Sequence, residues 1–441
     1  MTKTREDVLR IIDEAEVHHI RLNFTDILGR LKGIAITRTE IEKVLENGQG
    51  FDGSSIEGFV RIEESDLIAV PDLVTFRIIP WDIGGEKTAM MFCDIQNPDG
   101  TPYEGDPRWV LKKILKKLSE RGWTSYMGPE IEYFYFANPD SPEIIDQGGY
   151  FDYGSADIGT QVRKMTIAAL ERIGIPVEAS HHEVAPSQQE IDLKYQEALV
   201  MADFAQIYKF VVREIAAENE LFASFMPKPI FGENGSGMHT HMSLFNGGQN
   251  LFYDKKTPYQ LSKLAGQFVA GLLMHIKEIT LVLNQWVNSY KRLVAGYEAP
   301  VYLSWGRRNR SSLIRVPMLK TGHEQSTRIE LRSPDPACNP YLVFALMLAA
   351  GMAGIEGKYK LPDPIEENIF TMSPEKREKL SIESLPDSLE NAVREMEKSE
   401  LVRETLGDHI FNKLIANKKV EWDAYREKVT DFEIEKYFPY L

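Results

Sequence analysis

The sequence predicts an α+β protein. Two observations carry that class: a strand-rich opening of about 95 residues, and a remainder in which amphipathic helices alternate with strands without the glycine-rich βαβ fingerprint of a dinucleotide domain. A turn-rich stretch, Asn97-Pro98-Asp99-Gly100-Thr101-Pro102, separates the two. It divides the chain into a first domain over 1–100 and a second over 101–441 that ends in a helical tail.

In chain order, a helical stretch comes first, and Ile20, Leu22 and Phe24 then alternate as in a strand. Gly50-Phe51-Asp52-Gly53-Ser54-Ser55 reads as a polar loop, and Val74–Ile79 and Thr88–Ile95 as further strands. Asp106-Pro107 supplies an N-cap followed by proline at the first helical position. Leu111, Ile114, Leu115 and Leu118 form the apolar stripe of that helix, which Gly122 stops. A similar helix follows Asp157 and ends at Gly174, with Val162, Met165, Ala169 and Ile173 expected to face inward. Leu199–Ile215 is a third. Tyr341–Ile355 is the longest apolar run, short of the roughly 18 residues of a membrane span, and reads as a buried helix. From Ser373 the tail is charged and helical, with Leu389, Ala392, Val393 and Met396 as one apolar face.

Composition narrows the function classes. The chain of 441 residues is 43% hydrophobic and 27% charged, an ordinary globular mix with ample core material. A net charge of −15 argues against the phosphate-backbone footprint of a nucleic-acid binder. The charged N-terminus carries no apolar signal segment, so the expectation is a soluble, cytoplasmic protein without a membrane partner. Cys93 and Cys338 are too few for a disulfide framework and read as buried thiols.

The informative feature is a set of strands with charge on one face. Glu130 and Glu132 alternate with Ile131 and Tyr133; His239 and His241 with Met238 and Met242. Arg328, Glu330 and Arg332 alternate with Ile329 and Leu331, and Glu190 and Asp192 with Ile191 and Leu193. One such strand is an ordinary solvated face. Four together, with Arg, Glu and His rather than Lys, Ser and Thr, fit strands packed on helices on one side and lining a wet cavity on the other.

If Glu130, Glu132, Glu183, Glu190 and Glu330 converge there, each like-charge pair repels by about 4 kcal/mol at about 4 Å and an effective dielectric of about 20. Protonation or cations must relieve that. Oxygen-rich ligands with one imidazole favour Mg²⁺ or Mn²⁺ over zinc. Arg310, Arg315, Arg328 and Arg332 suit an anionic substrate, and metals plus an arginine clamp are the equipment of phosphoryl transfer. His182-Glu183 is no zincin helix, because no His follows four residues later. Gly232, Gly235 and Gly237 lack the Gly-Lys-Ser/Thr ending of a P-loop. His18 and His19 read as surface residues, and His181 stays open.

At these residues the sequence closely resembles type I glutamine synthetase across essentially its whole length. The carrying segments are Phe51-Asp52-Gly53-Ser54-Ser55, Gly128-Pro129-Glu130-Ile131-Glu132, His181-His182-Glu183-Val184-Ala185 and Asn234-Gly235-Ser236-Gly237-Met238-His239. Asn288–Leu293, Gly296–Pro300, Asn309-Arg310-Ser311 and Arg328–Arg332 continue the series in the same order.

The resemblance implies an N-terminal β-grasp domain and a catalytic domain around a curved antiparallel sheet flanked by helices. It implies a homododecamer of two stacked hexamers, with active sites between neighbouring subunits. The implied reaction is ATP-dependent ligation of L-glutamate and ammonium to glutamine through γ-glutamyl phosphate, with two or more Mg²⁺ or Mn²⁺ ions per site. Carried over by position, Glu130, His239 and Glu330 hold one ion, and Glu132, Glu183 and Glu190 another. Asn234, Gly235, Arg292, Glu298, Arg310 and Arg332 grip glutamate. ATP meets Glu178, His241, Ser243, Arg310 and Arg315, with Arg328 at the transferred phosphoryl. Asp52 from a neighbour, with Ser55, Tyr150 and a Glu298 flap, forms the ammonium pocket.

Phe59–Ser65 resembles the alpha subdivision, which makes Arg61 a regulatory candidate, and Phe370 lacks the hydroxyl that adenylylation needs. Control then falls to glutamine, 2-oxoglutarate or a small regulatory protein, among which the sequence does not choose. Two other readings are a glutamate–polyamine ligase of the same family and a catalytically silent structural relative. The six ligand positions stand against the second, and Asp52, Tyr150 and Glu298 against the first.

Overall fold

The structure is a computed structural model describing residues 3–56, 58, 66–82, 84–297, 299–307, 309–318 and 322–441. Its first sheet comprises β1 (Val17–Thr25), β2 (Leu31–Thr37), β3 (Gln49–Asp52), β4 (Asp66–Pro71), β5 (Arg77–Ile78) and β6 (Lys87–Gln96). The order is β2-β1-β6-β4-β3, with β5 also paired to β6. β1 and β6 run parallel, while β1–β2, β3–β4, β4–β6 and β5–β6 are antiparallel. Two helices, α1 (Arg5–Glu14) and α2 (Ile41–Asn47), complete this half. Val8, Ile12, Ile41 and Val44 from them share a core with Ile20, Leu22, Phe24 and Met91 from the strands.

Two local expectations fail here. Leu73–Thr75 is a 3₁₀ turn opened by the Asp72 side chain, which accepts from the Val74 N–H, so Val74 is exposed and only Arg77–Ile78 is strand. Conversely, the polar Gly50–Asp52 run is part of β3, because backbone pairing with β4 does not require apolar side chains.

The second half follows the Asn97–Pro102 turn. Its ten-stranded sheet contains β7 (Trp123–Phe136), β8 (Val177–His182), β9 (Gln188–Leu193), β10 (Gln196–Glu197), β11 (Phe222–Ser224), β12 (Met238–Asn246), β13 (Gln249–Asn250), β14 (Tyr302–Gly306), β15 (Ser312–Arg315) and β16 (Ile329–Leu331). The main path is β14-β15-β16-β12-β7-β9-β8, antiparallel except for β14–β15.

Helices α3 (Pro107–Ser119), α4 (Thr160–Ile173), α5 (Ala198–Glu218), α6 (Lys263–Leu283), α7 (Ser289–Arg292) and α8 (Pro340–Glu356) lie within this half. The tail carries α9 (Pro374–Lys379), α10 (Leu389–Glu397), α11 (Glu400–Leu406), α12 (Asp408–Arg426) and α13 (Asp431–Tyr437). The apolar faces of β7, β9 and β12 pack with α3, α5, α6 and α8 in one core. Asp106 caps α3 as its sequence indicates, accepting from the Arg108 N–H. In α4 the inward stripe holds Val162, Ala169 and Ile173, but Met165 is exposed and Thr166 takes the buried position.

By length and composition α6 passes for a membrane span, yet two-thirds of it is buried against its neighbours. It crosses α8 closely. A Cβ on Gly271 would stand 2.2 Å from the Ala350 carbonyl oxygen, so glycine is required there. The two halves are tied by Arg108, nearly fully buried, whose guanidinium bonds Asp72 (2.8 Å) and Asp94 (2.6 Å) of the first half and Asp203 (3.0 Å) of α5.

Candidate active site

Strand register assembles the charged faces. On β7, Glu130 stands opposite His239 of β12 and Asp192 of β9, and Glu132 opposite Glu190. His241 faces Glu330 of β16, Glu330 faces Arg315 of β15, and His181 of β8 faces Glu190. Alternation sends Ile131, Tyr133, Met238, Ile191 and Leu331 into the core behind. The result is a polar cleft of about 270 Å³, lined among others by Glu130, Glu132, Glu183, Glu190, His239 and Arg332.

Two groups of potential ligands emerge. Single oxygen or nitrogen atoms of Glu130, His241 and Glu330 lie within 4.8 Å of one another, as do those of His181, Glu183 and Glu190. His241 Nε2 is 2.7 Å from Glu130 Oε1, while His239 Nδ1 is 3.4 Å from Glu130 and 3.9 Å from Glu330. Both β12 histidines therefore border the first group. His181 Nε2 lies 2.8 Å from Glu183 and 4.0 Å from Glu190, which places this histidine in the cleft.

The electrostatics divide the carboxylates. Burial raises Glu132 to about 8, and the neighbouring Glu183 charge adds to the effect. Burial together with Asp192 and Glu132 likewise drives Glu190 well above the usual range. Burial also disfavours ionised Glu130, but hydrogen bonds with His239 and His241 outweigh it and hold the group well below that range. Glu330 is similarly lowered against its burial by His241, Arg332, His239 and Arg315. One end of the cleft thus has cationic partners for its carboxylates, and the other has carboxylates facing each other. Hard divalent cations fit the second end, because oxygen donors converge there and, among the described residues, no arginine stands at hydrogen-bond distance to compensate them.

Arginines fringe the cleft. Arg292 is buried, donating to the carbonyls of Ser333 (2.7 Å) and Arg332 (3.2 Å). Arg332 Nη1 donates to Glu330 Oε1 at 2.7 Å, and Arg315 bonds the other oxygen. Arg310 is exposed at the mouth and hydrogen-bonds Tyr150. The approach of Asn234-Gly235-Ser236-Gly237 depends on missing side chains. A Cβ on Gly237 would sit 2.6 Å from Arg292 Nη2, and its N–H donates to Glu132 Oε2 at 2.9 Å.

Asn234, Gly235 and Tyr150 line the cleft with five of the six predicted ligands and with Arg292, Arg310, Arg315 and Arg332, while the sixth, Glu330, is buried beside Glu130 and His241. Arg328 stands just beyond, donating from Nε to His241 Nδ1 at 3.2 Å. Ser243 follows His241 on the same strand face, and Glu178 is exposed on β8. Asp52 and Ser55 are exposed on the first half and do not line the cleft of their own chain; Asp52 Oδ1 accepts from the Ser54 N–H. Arg61 and Glu298 lie outside the described residues.

Five lining residues were not assigned roles from sequence: His181, Gln188, Asp192, Tyr297 and Ala299. Gln188 donates to Glu132 Oε2 at 2.9 Å. The signal for it existed, since 188, 190 and 192 share one strand face.

Comparison with known proteins agrees with this architecture. Residues 16–98 match the family description "Glutamine synthetase, beta-Grasp domain" and residues 104–437 "Glutamine synthetase, catalytic domain". A glutamine synthetase of Mycolicibacterium smegmatis is 50% identical, with 99% of each chain covered. One from Staphylococcus aureus is 48% identical, covering 99% of this chain and 98% of the relative. Among solved structures, a GmaS/ADP complex superposes with a TM-score of 0.90 at 30% identity over all of both chains. A Plasmodium falciparum glutamine synthetase gives 0.89 at 26% identity, over 99% of this chain and 100% of that one. An N-terminal β-grasp half, a curled catalytic sheet and these matches over the full length agree: the chain belongs to the glutamine synthetase family.

Proposed function

We infer that this enzyme joins L-glutamate and ammonia to form L-glutamine, using ATP and divalent metal. The observation that carries the reading is the cleft in which acidic side chains from β7, β9 and the β8–β9 turn meet a fringe of arginines, with Glu330 of β16 beside Glu130.

A carboxylate is a poor acyl donor because its oxygen leaves badly. Attack of the glutamate γ-carboxylate on the terminal phosphorus of ATP breaks the bond to ADP and yields γ-glutamyl phosphate. Ammonia then attacks the acyl carbon and phosphate departs. Arg292, Arg310, Arg332, Asn234, Gly235 and Glu298 orient glutamate in this reading, and Glu178, His241, Ser243, Arg310 and Arg315 take the nucleotide. Arg328 lies at the His241 end, suited to charge on the moving phosphoryl group. Glu130, His239 and Glu330, with His241 close by, would hold one Mg²⁺ or Mn²⁺, and Glu132, Glu183 and Glu190, with His181, another. Such ions neutralise phosphate charge and screen the carboxylates from one another.

Ammonium becomes a nucleophile only on losing a proton, and a carboxylate both attracts the cation and accepts that proton. Asp52, with Ser55, takes this role from a second copy, because in its own chain it stands away from the cleft. Tyr150 at the mouth and Glu298 complete the pocket and exclude water from the acyl phosphate. That division supports a homo-oligomer, proposed as the dodecamer of the type I family. The alpha-type feedback role of Arg61, a cytoplasmic location and the domain boundary at 100/101 are proposed from the sequence alone.

The test is phosphate release with Mg²⁺ or Mn²⁺. It should require glutamate and ammonium together, and ammonium should outcompete putrescine as acceptor. Equal release without ammonium contradicts the assignment.

A further inference from the structure

A second cavity among the described residues is larger than the acidic cleft. A space of about 1230 Å³ lies between the β1–β2 hairpin and the region formed by α5, α7 and α12. Its lining includes Arg21, Arg30, Lys32, Lys209, Arg213 and Lys291, against the carboxylates Glu214 and Glu421. Glu421 is already engaged, accepting from the Val287 N–H (3.0 Å) and from Lys418 Nζ (2.8 Å). In a chain of net charge −15, this concentration of cations runs against the overall balance.

Lys32 pairs with Asp26 at 3.8 Å, but others of these cations are seated on aromatic rings instead. Arg30 lies over the Trp286 ring (6.0 Å), Arg213 over Phe225 (5.0 Å) and Lys291 over Tyr425 (5.5 Å). Among the described residues, none of Arg30, Arg213, Lys209 and Lys291 has a carboxylate oxygen within 4.0 Å. The Lys209 ammonium is buried and donates to the Cys338 carbonyl oxygen at 3.0 Å. Burial lowers Lys209 to about 8, with Arg213 adding to the effect and Asp335 opposing it. Arg30, Arg213 and Lys291 are exposed and Lys209 is buried, so an anion entering the cavity meets several cations without having to displace a carboxylate partner.

We propose that this cavity is a binding site for a small, multiply charged anion, carrying phosphate or carboxylate groups, held by Arg30, Arg213, Lys209 and Lys291. Guanidiniums seated on rings need little reordering to grip such a ligand. The site is separate from the acidic cleft, although α7 borders both: Lys291 lines this cavity and Arg292 the cleft.

The test is calorimetric titration of the full-length, EDTA-treated protein with pyrophosphate and, separately, citrate at low salt. Saturable binding of either is expected, and the stronger of the two identifies phosphate or carboxylate as the preferred group. The Arg213→Gln/Lys291→Gln double variant should weaken binding at least 10-fold, and Arg30→Gln alone should weaken it in the same direction. Arg310→Gln, at the mouth of the acidic cleft, should leave it unchanged. Wild-type circular dichroism of the variants separates lost binding from lost fold, and the Arg30→Gln result stands if the double variant does not fold. The proposal is overturned if neither anion binds, if Arg310→Gln abolishes binding while the double variant keeps it, or if side chains of a second copy fill the cavity in the assembled protein.

Discussion

Replacing Glu132 by Gln should make the metal-free protein more stable at pH 8 while removing part of its response to metal. The carboxyl is fully inside the protein, beside Glu183, and titrates near 8 rather than at its usual 4.5. Below pH 4.5 it is protonated in both folded and unfolded chains and contributes nothing. Between 4.5 and 8 the unfolded chain releases the proton first, so stability falls with rising pH by about 1.4 kcal/mol per unit. The loss reaches about 3 kcal/mol at pH 7 and about 5 kcal/mol above pH 8, as upper bounds for one group. Glutamine keeps the shape and can still accept from Gln188 and the Gly237 N–H, both of which bond the same oxygen, Oε2. Its amide then faces Glu183 as a donor.

The assay is denaturant unfolding in EDTA at pH 5.5 and 8, repeated with excess Mn²⁺. The variant should gain stability over wild type at pH 8, with a shallower pH slope, and should gain less from Mn²⁺. A metal-free variant no more stable than wild type at pH 8, with an unchanged slope, would refute the idea that repulsion among these carboxylates is what the cations relieve.

Other consequences are more local. Asp52→Ala should remove most ammonium-dependent synthesis while nucleotide affinity, measured by calorimetry, stays close to wild type; an equal collapse of both sinks its assignment to the ammonium pocket. Gly237→Ala forces a methyl group against Arg292 Nη2, so the KM for glutamate should rise about 10-fold or more with little change in overall stability. Arg108→Met leaves Asp203 without its ion-pair partner and Asp72 and Asp94 with Lys112 alone, and should cost about 3–5 kcal/mol in unfolding experiments, falling as the pH is lowered and the aspartates protonate.

Much of the candidate site was legible in the chain because the cue is short-ranged. Glu130 and Glu132, His239 and His241, and Glu190 and Asp192 each sit two residues apart, and extended backbone sends such pairs to the same side. The failures came where local preference was overridden. The apolar Val74 gave no warning that the Asp72 side chain would turn the backbone there, and polar Gly50–Asp52 concealed a strand stabilised by its partner's backbone. Met165 fits an apolar stripe by spacing, but the neighbouring Thr166 occupies the interior and satisfies its hydroxyl on the Val162 carbonyl.

The sequence by itself determined which side chains share a face, which helices are capped where, and which motifs tie the chain to its family. Those properties follow from covalent geometry and from contacts a few residues away. Only the tertiary structure decided that β12 lies between β7 and β16, so that His241 as well as His239 borders Glu130, and that Gln188 reaches Glu132. It also decided that Asp52 stands outside its own chain's cleft. Strand order and register are set by hydrogen bonds between segments about a hundred residues apart, and no local pattern encodes the position of the partner.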